Sequence, residues 1–249
     1  GDSGPGRMSE PDDIVAAALA LVERPRDLED VSVVVSAGGT REPIDPVRFL
    51  GNRSSGRQGV AIARAAADRG ARVTLVAAHL DADVVPDSRV EVIAVATADE
   101  LGRAMDATAP DADVIVMAAA VADYSVASVS EHKLRKQDAP GGLTLELIEN
   151  RDIVAGLVAA RRDGQTIVAF AAETVRDDDD LLERARAKAA RKGVDLLAAN
   201  AVGWTRGFEV TDNDLVIVER GGDVVATASG SKDDTAHALL DAIVANRVR

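Results

Sequence analysis

The 249-residue chain has no cysteine, three histidines, five aromatic side chains and no long apolar run. Without cysteine there is no disulfide, no thiolate nucleophile and no cysteine zinc site, and a reducing cytoplasm is the expected compartment. His79, His132 and His237 stand singly, so a histidine-rich metal site is not expected. Phe49, Tyr124, Phe170, Trp204 and Phe208 are too few for a base-stacking platform. The core therefore has to be built from Ala, Val, Leu and Ile. No stretch suits a transmembrane helix, no secretory signal is expected, and GDSGPGR at the start reads as linker. A net charge of −13 argues against general binding to nucleic acid or to an anionic membrane.

What is present describes a folded domain. Hydrophobic residues make up 47% of the chain, too many for a disordered one. A domain of this size can bury roughly 70–75% of its unfolded surface. Of the 29 basic side chains only five are lysines, and four of them form two local pairs, Lys133/Lys136 and Lys188/Lys192. Lysine kept in clusters within an arginine-rich sequence points to a need for compact ammonium charges. On composition alone, solvated surface charge explains the pairs equally well.

Apolar, β-branched runs alternate with amphipathic stretches. A helix is expected at 11–24, then a buried strand in VSVVVSAGG, a helix in GVAIARAAADRG and a strand in VTLVAA. VEVIAVA follows as a strand, and Thr97 with Glu100 forms a capping box for a helix that ends near Thr108. DVIVMAAAVADY reads as an apolar strand running into a loop, and LTLELIE, TIVAFAAE, VDLLAAN and DLVIVER as further strands, with helices at about 151–162, 178–192 and 232–247. This alternation predicts α/β architecture: a Rossmann-like, doubly wound, mostly parallel sheet with helices on both faces. The Gly-Gly turn of DLVIVERGGDVVATA predicts an antiparallel edge hairpin. Residues 1–30 read as a linker with a short helix, and 31–249 as one domain.

Ligands of such sheets bind at the carboxyl ends of the strands. There the loop SAGGTREPIDPVRFLGNRSSGRQG runs from Ser36 to Gly59, too long and polar for a mere connector. Gly38 and Gly39 permit close backbone approach, Asn52 offers a neutral amide, and Ser54, Ser55 and Gly56 stand just ahead of a helix, a cradle for an anion. Arg41, Arg48, Arg53 and Arg57 surround it. Ordinary capping serines in an Ω-loop account for any one of these residues; the whole set points to phosphate. A nicotinamide-binding fingerprint fails, because the next glycine after Gly39 is Gly51. No Tyr-x-x-x-Lys pair exists either, since Ser128 lies four residues after Tyr124. A hydride-transferring oxidoreductase is therefore disfavoured.

MAAAVADY narrows to alanines that leave room for a flat ring, and Asp123 can accept from ribose hydroxyls, although an Asp there is more often a turn cap. KLRKQDAPGG is basic and rich in Gly and Pro; a solvated loop suits Arg135 better than Lys133. In ENRDI, Asn150 and Asp152 sit at a strand-to-helix junction where capping is the default role. Phe170 in FAAET can be a core residue or can flank a base. Lys188 and Lys192 share one helical face, with solvated charge as the plain alternative.

Together, and in this order, SAGGTREPIDPVRFLGNRSSGRQG, AAAVADY, KLRK, ENRDI, FAAET and KGVDLLAAN resemble the phosphopantothenoylcysteine synthetase family, the CTP-dependent phosphopantothenate–cysteine ligases of bacterial coenzyme A biosynthesis. The likeness runs from about Val31 to the C-terminus. Asn150-Arg151-Asp152 stands where the family often has Asn-Pro-Asp, and KLRK where KIKK is common; the polar pair and both lysines are kept. The resemblance implies a ligase that makes an acyl-cytidylate from CTP and 4'-phosphopantothenate, releasing pyrophosphate, and then lets L-cysteine displace CMP. By that likeness Met117, Ala118, Ala119 and Phe170 flank the nucleotide and Asp123 holds it. Lys133, Asn150, Arg151, Asp152, Ile153, Lys188 and Lys192 match nucleotide-contacting positions, and Asn52 handles the acyl-cytidylate. Mg²⁺ is expected, with its ligands unassigned. The resemblance further implies a homodimer, and a flavin-dependent decarboxylase domain that family members carry on the same polypeptide and this chain does not include. A non-catalytic nucleotide-binding regulatory module is the alternative, and the presence of Asn52 and Lys133 speaks against it.

Overall fold

The computed structural model of the chain describes residues 10–11, 25–138, 141–203 and 212–248. Nearly all of the helix expected at 11–24 lies outside them, as do Trp204 and Phe208. Eight strands form the main sheet: β1 (Ser32–Gly38), β4 (Arg72–Ala78), β5 (Glu91–Val95), β6 (Val114–Met117), β9 (Thr166–Glu173), β10 (Leu196–Ala201), β11 (Asp212–Glu219) and β12 (Val224–Ser231). Their order is β12-β11-β10-β9-β6-β1-β4-β5. The six strands from β5 to β10 are parallel, in the strand order of doubly wound dinucleotide folds. β11 and β12 close one edge antiparallel, as the Gly-Gly turn requires.

The alternation of side chains along β1 explains the layers. Val33, Val35 and Ala37 pack on one face with α1 (Arg57–Asp68) and α5 (Lys232–Arg247). Val34 faces the other, where α2 (Ala98–Thr108), α3 (Ile153–Ala159) and α4 (Asp178–Lys192) lie. With both faces covered, the central strands read as continuous apolar runs. No described helix is long and apolar enough to cross a membrane.

Helix α1 lies very close to β1. A Cβ on Gly59 would stand 2.5 Å from Ala37 Cβ and 2.9 Å from Ser36 O, with no flexible side chain to yield. Gly59→Ala is expected to cost about 1–3 kcal/mol of stability by overpacking. Urea unfolding checks this, and a wild-type midpoint would mean that α1 can lift off the sheet without penalty.

DVIVMAAAVADY is a strand that runs into a loop, as expected: β6 ends at Met117, and β7 (Tyr124–Val126) then pairs with β8 (Leu147–Glu149) in a separate two-stranded sheet. Three expectations are corrected. LTLELIE contributes only its last three residues, because its exposed side chains face solvent away from the main sheet. The long loop after β1 contains its own small hairpin, β2 (Arg41–Pro43) with β3 (Phe49–Gly51). At α2, Glu100 reaches back to Ala96 N at 2.7 Å rather than to the Thr97 amide, so the capping box closes one residue early.

Candidate functional site

The strand order reverses between β1 and β6, and the chain leaves both strands there. The two exits are stitched together. Ala119 N donates to Ser36 Oγ (3.1 Å), Ala120 N to Gly38 O (2.8 Å) and Ala122 N to Thr40 Oγ1 (2.9 Å). Asn52 Nδ2 donates to Val121 O at 2.9 Å, tying the long loop to the alanine loop. Gly38, at φ 83°, could carry no Cβ, which would lie 1.6 Å from Ala78 O. A Cβ on Gly39 would meet Asn52 O at 2.7 Å. Both glycines therefore serve contacts within the protein, and the N–H groups of Ala119 and Ala120 are already in use.

Above this seam opens a cleft of about 1290 Å³. It extends from Asn52 and the N-terminus of α1, past Met117–Asp123 and Asn150–Ile153, to Phe170 and α4. Arg53, Arg57, Arg151, Lys188, Arg191, Lys192 and Lys232 line it, against Asp123, Glu149 and Asp152. Four of these seven cations are ion-paired: Arg57 with Asp83, Arg151 with Asp106, Lys188 with Glu173 and Lys192 with Asp152.

The cleft's individual groups differ in readiness. The hydroxyls of Ser54 and Ser55 lie 3.4 Å from Gly56 N and Arg57 N, long contacts that an anion can replace. Helix α1 has no side-chain cap, and its N-terminus faces the cleft. Asp123 is exposed and its carboxylate accepts no hydrogen bond among the described residues. Asn150 is committed: its Nδ2 donates to Ala122 O (2.9 Å), and Ser125 Oγ donates to its Oδ1 (2.5 Å). Arg151 directs its guanidinium over Gly102 to Asp106, 2.7 Å away. Asp152 caps α3 by accepting from Ala155 N and also pairs with Lys192. Lys188 pairs with Glu173 at 2.8 Å. Phe170 is half-buried, packed against the core while lining the cleft, and Met117 is buried. Lys133 is exposed and does not line the cleft of its own chain. Of the four arginines expected near the cradle, Arg53 and Arg57 line the cleft, whereas Arg41 lies over the Phe49 ring and Arg48 pairs with Asp45.

Residues 28–246 match the family model described as the DNA/pantothenate metabolism flavoprotein C-terminal domain. The chain belongs to this family. It is 50% identical over 252 residues to the coenzyme A biosynthesis bifunctional protein CoaBC of Mycobacterium bovis, covering 98% of this chain and 60% of that protein. With CoaBC of Escherichia coli K12 it shares 42% identity over 247 residues, covering 98% and 59%. The chain thus spans about three fifths of the length of the curated relatives it matches. The crystal structure of the C-terminal domain of a CoaBC protein superposes with a TM-score of 0.70 at 30% identity, over 88% of this chain and 97% of that one. A Cab2 mutant in complex with phosphopantothenate-cysteine shares the fold, with a TM-score of 0.69 at 18% identity over 97% and 96% of the two chains.

Within this flavoprotein C-terminal domain, sequence reasoning missed Arg191 and Lys232 as cleft residues. Lys232 opens α5, which the capping box of Ser231 with Asp234 marks in the sequence, but nothing local shows that this end meets α1. Burial opposes ionisation of Asp152, yet the Lys192 ammonium and the Ala155 amide outweigh it and hold its carboxyl below the ordinary 3.8. Its contribution to stability is therefore present above that value and is lost as the pH falls through the depressed one. Asp152→Ala is expected to cost about 0.5–2 kcal/mol near neutrality through the lost cap. The deficit should shrink in urea unfolding repeated at low pH; a deficit equal at both would mean that ionisation plays no part.

Proposed function

We propose that this domain is the phosphopantothenate–cysteine ligase of coenzyme A biosynthesis, acting through an acyl-cytidylate formed from CTP. The observation that carries the reading is the cationic cleft at the point where strand order reverses, with an uncapped helix N-terminus at one end and Lys188, Arg191 and Lys192 at the other. Membership of the family and the name of the CoaBC relatives support it. The fold relative Cab2 in its complex with phosphopantothenate-cysteine agrees with it.

The chemistry asks for positioning more than for a nucleophile. The substrate carboxylate attacks the α-phosphorus of CTP, forming an acyl–phosphate bond and expelling pyrophosphate. The cysteine amine then attacks the acyl carbon, loses a proton to water or base, and expels CMP. Three phosphates, a carboxylate and the substrate phosphate have to converge, and the cleft's cations offset their repulsion. In this reading Asp123, exposed in the cleft, accepts from the ribose, the base lies against Ala118 and Ala119 beside Phe170, and the Ser54–Gly56 cradle takes an anion. Mg²⁺ fits as an ion carried by the triphosphate: among the described residues there is no cluster of three acidic or histidine ligands. One or two carboxylates suffice for such an ion, and Asp123 and Glu149 are the cleft carboxylates able to touch it. When bound, it would neutralise phosphate charge.

The reading includes a cytoplasmic homodimer. Phe49, Tyr124, Leu147 and Ile148 are 45–53% exposed on the two small sheets, where β2 packs against β7. Exposed large apolar side chains on these small sheets are surface that a second copy could cover. Lys133, outside its own cleft, would then be supplied by a second copy.

Pyrophosphate release on mixing the protein with CTP and phosphopantothenate tests the reading. CTP should be preferred over ATP, because the alanine loop leaves space for a small ring. A regulatory nucleotide-binding module would bind CTP and release none, and equal turnover of ATP and CTP would defeat the nucleotide assignment.

A further inference from the structure

We infer that Asp45 is a positioning residue that presents Lys133 through the backbone of Leu134; the inference rests on the ligase reading above. Asp45 lies in the β2–β3 turn, and its carboxylate is fully buried, 0% exposed. Five donors surround it. Oδ1 accepts from Val47 N and Arg48 N, both at 2.8 Å. Oδ2 accepts from Arg48 Nε (3.0 Å), Arg48 Nη2 (2.5 Å) and Leu134 N (3.1 Å). Arg48 Nη2 also donates to Leu134 O at 2.7 Å, so both backbone groups of Leu134 are held. Upstream, Ser130 N donates to Ile44 O at 3.0 Å.

The turn itself needs only the Oδ1 pair, the usual side-chain-to-backbone bonds of an Asp turn. Of the three Oδ2 bonds, two come from Arg48 in the same turn, while the third, from Leu134 N, reaches across the chain to a segment without regular structure, and nothing local accounts for it. A buried carboxylate is costly unless its acceptor sites are filled. Here they are filled by linking the hairpin to the residue next to Lys133. The Lys133 ammonium is exposed and has no partner among the described residues. A lysine has a flexible four-carbon stem, so any precision in its placement has to come from the backbone that carries it. Residues 130–134, pinned at both ends onto the turn, supply that.

Asp45→Asn separates the two halves of the clamp. The amide oxygen can keep Val47 N and Arg48 N, while the new NH₂ faces Leu134 N and the Arg48 guanidinium, donor against donor. Hydrogen exchange at 130–135 should quicken while α1 keeps its protection. The kcat for pyrophosphate release should fall about 10- to 100-fold, the scale of misplacing a reacting group by about 1 Å. The KM for CTP should stay within about threefold, since the cleft is untouched. Combined with Lys133→Ala, Asp45→Asn should add no further loss. Should it fail to fold, Arg48→Lys keeps a charge beside Asp45 but loses the fork to Leu134, and carries the same expectations. Losses that multiply in the double variant, a raised KM with unchanged kcat, or unchanged exchange would overturn the clamp. An inactive wild type would instead defeat the ligase reading, and Lys133's role with it.

Discussion

Lys133→Ala is expected to slow pyrophosphate release about 100- to 1,000-fold, the cost of removing one donor from a developing anionic centre. The side chain is exposed and unpartnered among the described residues, so truncation leaves no buried group unsatisfied. Stability should therefore stay within about 0.5 kcal/mol of wild type. That combination distinguishes a chemical role from a structural one. Because Lys133 lies outside its own cleft, the loss should be complemented in trans if a second copy supplies it. Mixing Lys133→Ala with a cleft-defective chain such as Lys188→Ala, and looking for recovered pyrophosphate release in the mixed dimer, examines that directly. Normal turnover by the single variant would remove Lys133 from the mechanism.

Asn52→Asp is expected to reduce amide formation about 100-fold or more while CTP still binds within a few-fold of wild type. The structure supplies the reason. Asn52 Nδ2 is bonded to Val121 O, so an ionised aspartate would set two acceptors against each other across the seam of the two loops. The substitution also brings a negative charge to the cleft in which the proposed acyl-cytidylate, itself anionic, would form. The Asn52 oxygen takes no protein donor among the described residues and remains free to accept from the attacking amine. Calorimetric CTP binding together with single-turnover amide formation decides it. Full amide formation by the Asp variant would mean that the Val121 bond is dispensable and that the carry-over from the family fails at this position.

Much of this protein is legible residue by residue. Apolar runs such as VVVSAG and VIVM have to be buried on both faces, and a parallel sheet between two layers of helices is what such runs form. Turn chemistry is equally local: Gly221 and Gly222 close the edge hairpin, and Thr97, Asp152 and Ser231 cap the helices they precede. That Ser54, Ser55 and Gly56 precede a helix is also readable in the sequence, because hydroxyls, glycine and a helix start lie within a few residues of each other; the structure adds that they line the cleft. Tertiary structure alone decided which polar groups are available. Asn150 and Arg151 sit in a motif that resembles a nucleotide contact, yet one is bonded to Ala122 and Ser125 and the other to Asp106. Lys232 joins the cleft only because α5 packs beside α1, and Leu134 finds Asp45 only because the β2–β3 hairpin folds beneath it. Local pattern sets burial and backbone geometry, which depend on near neighbours. The pairing of charges and amides is settled by long-range contacts, and no spacing along the chain encodes it.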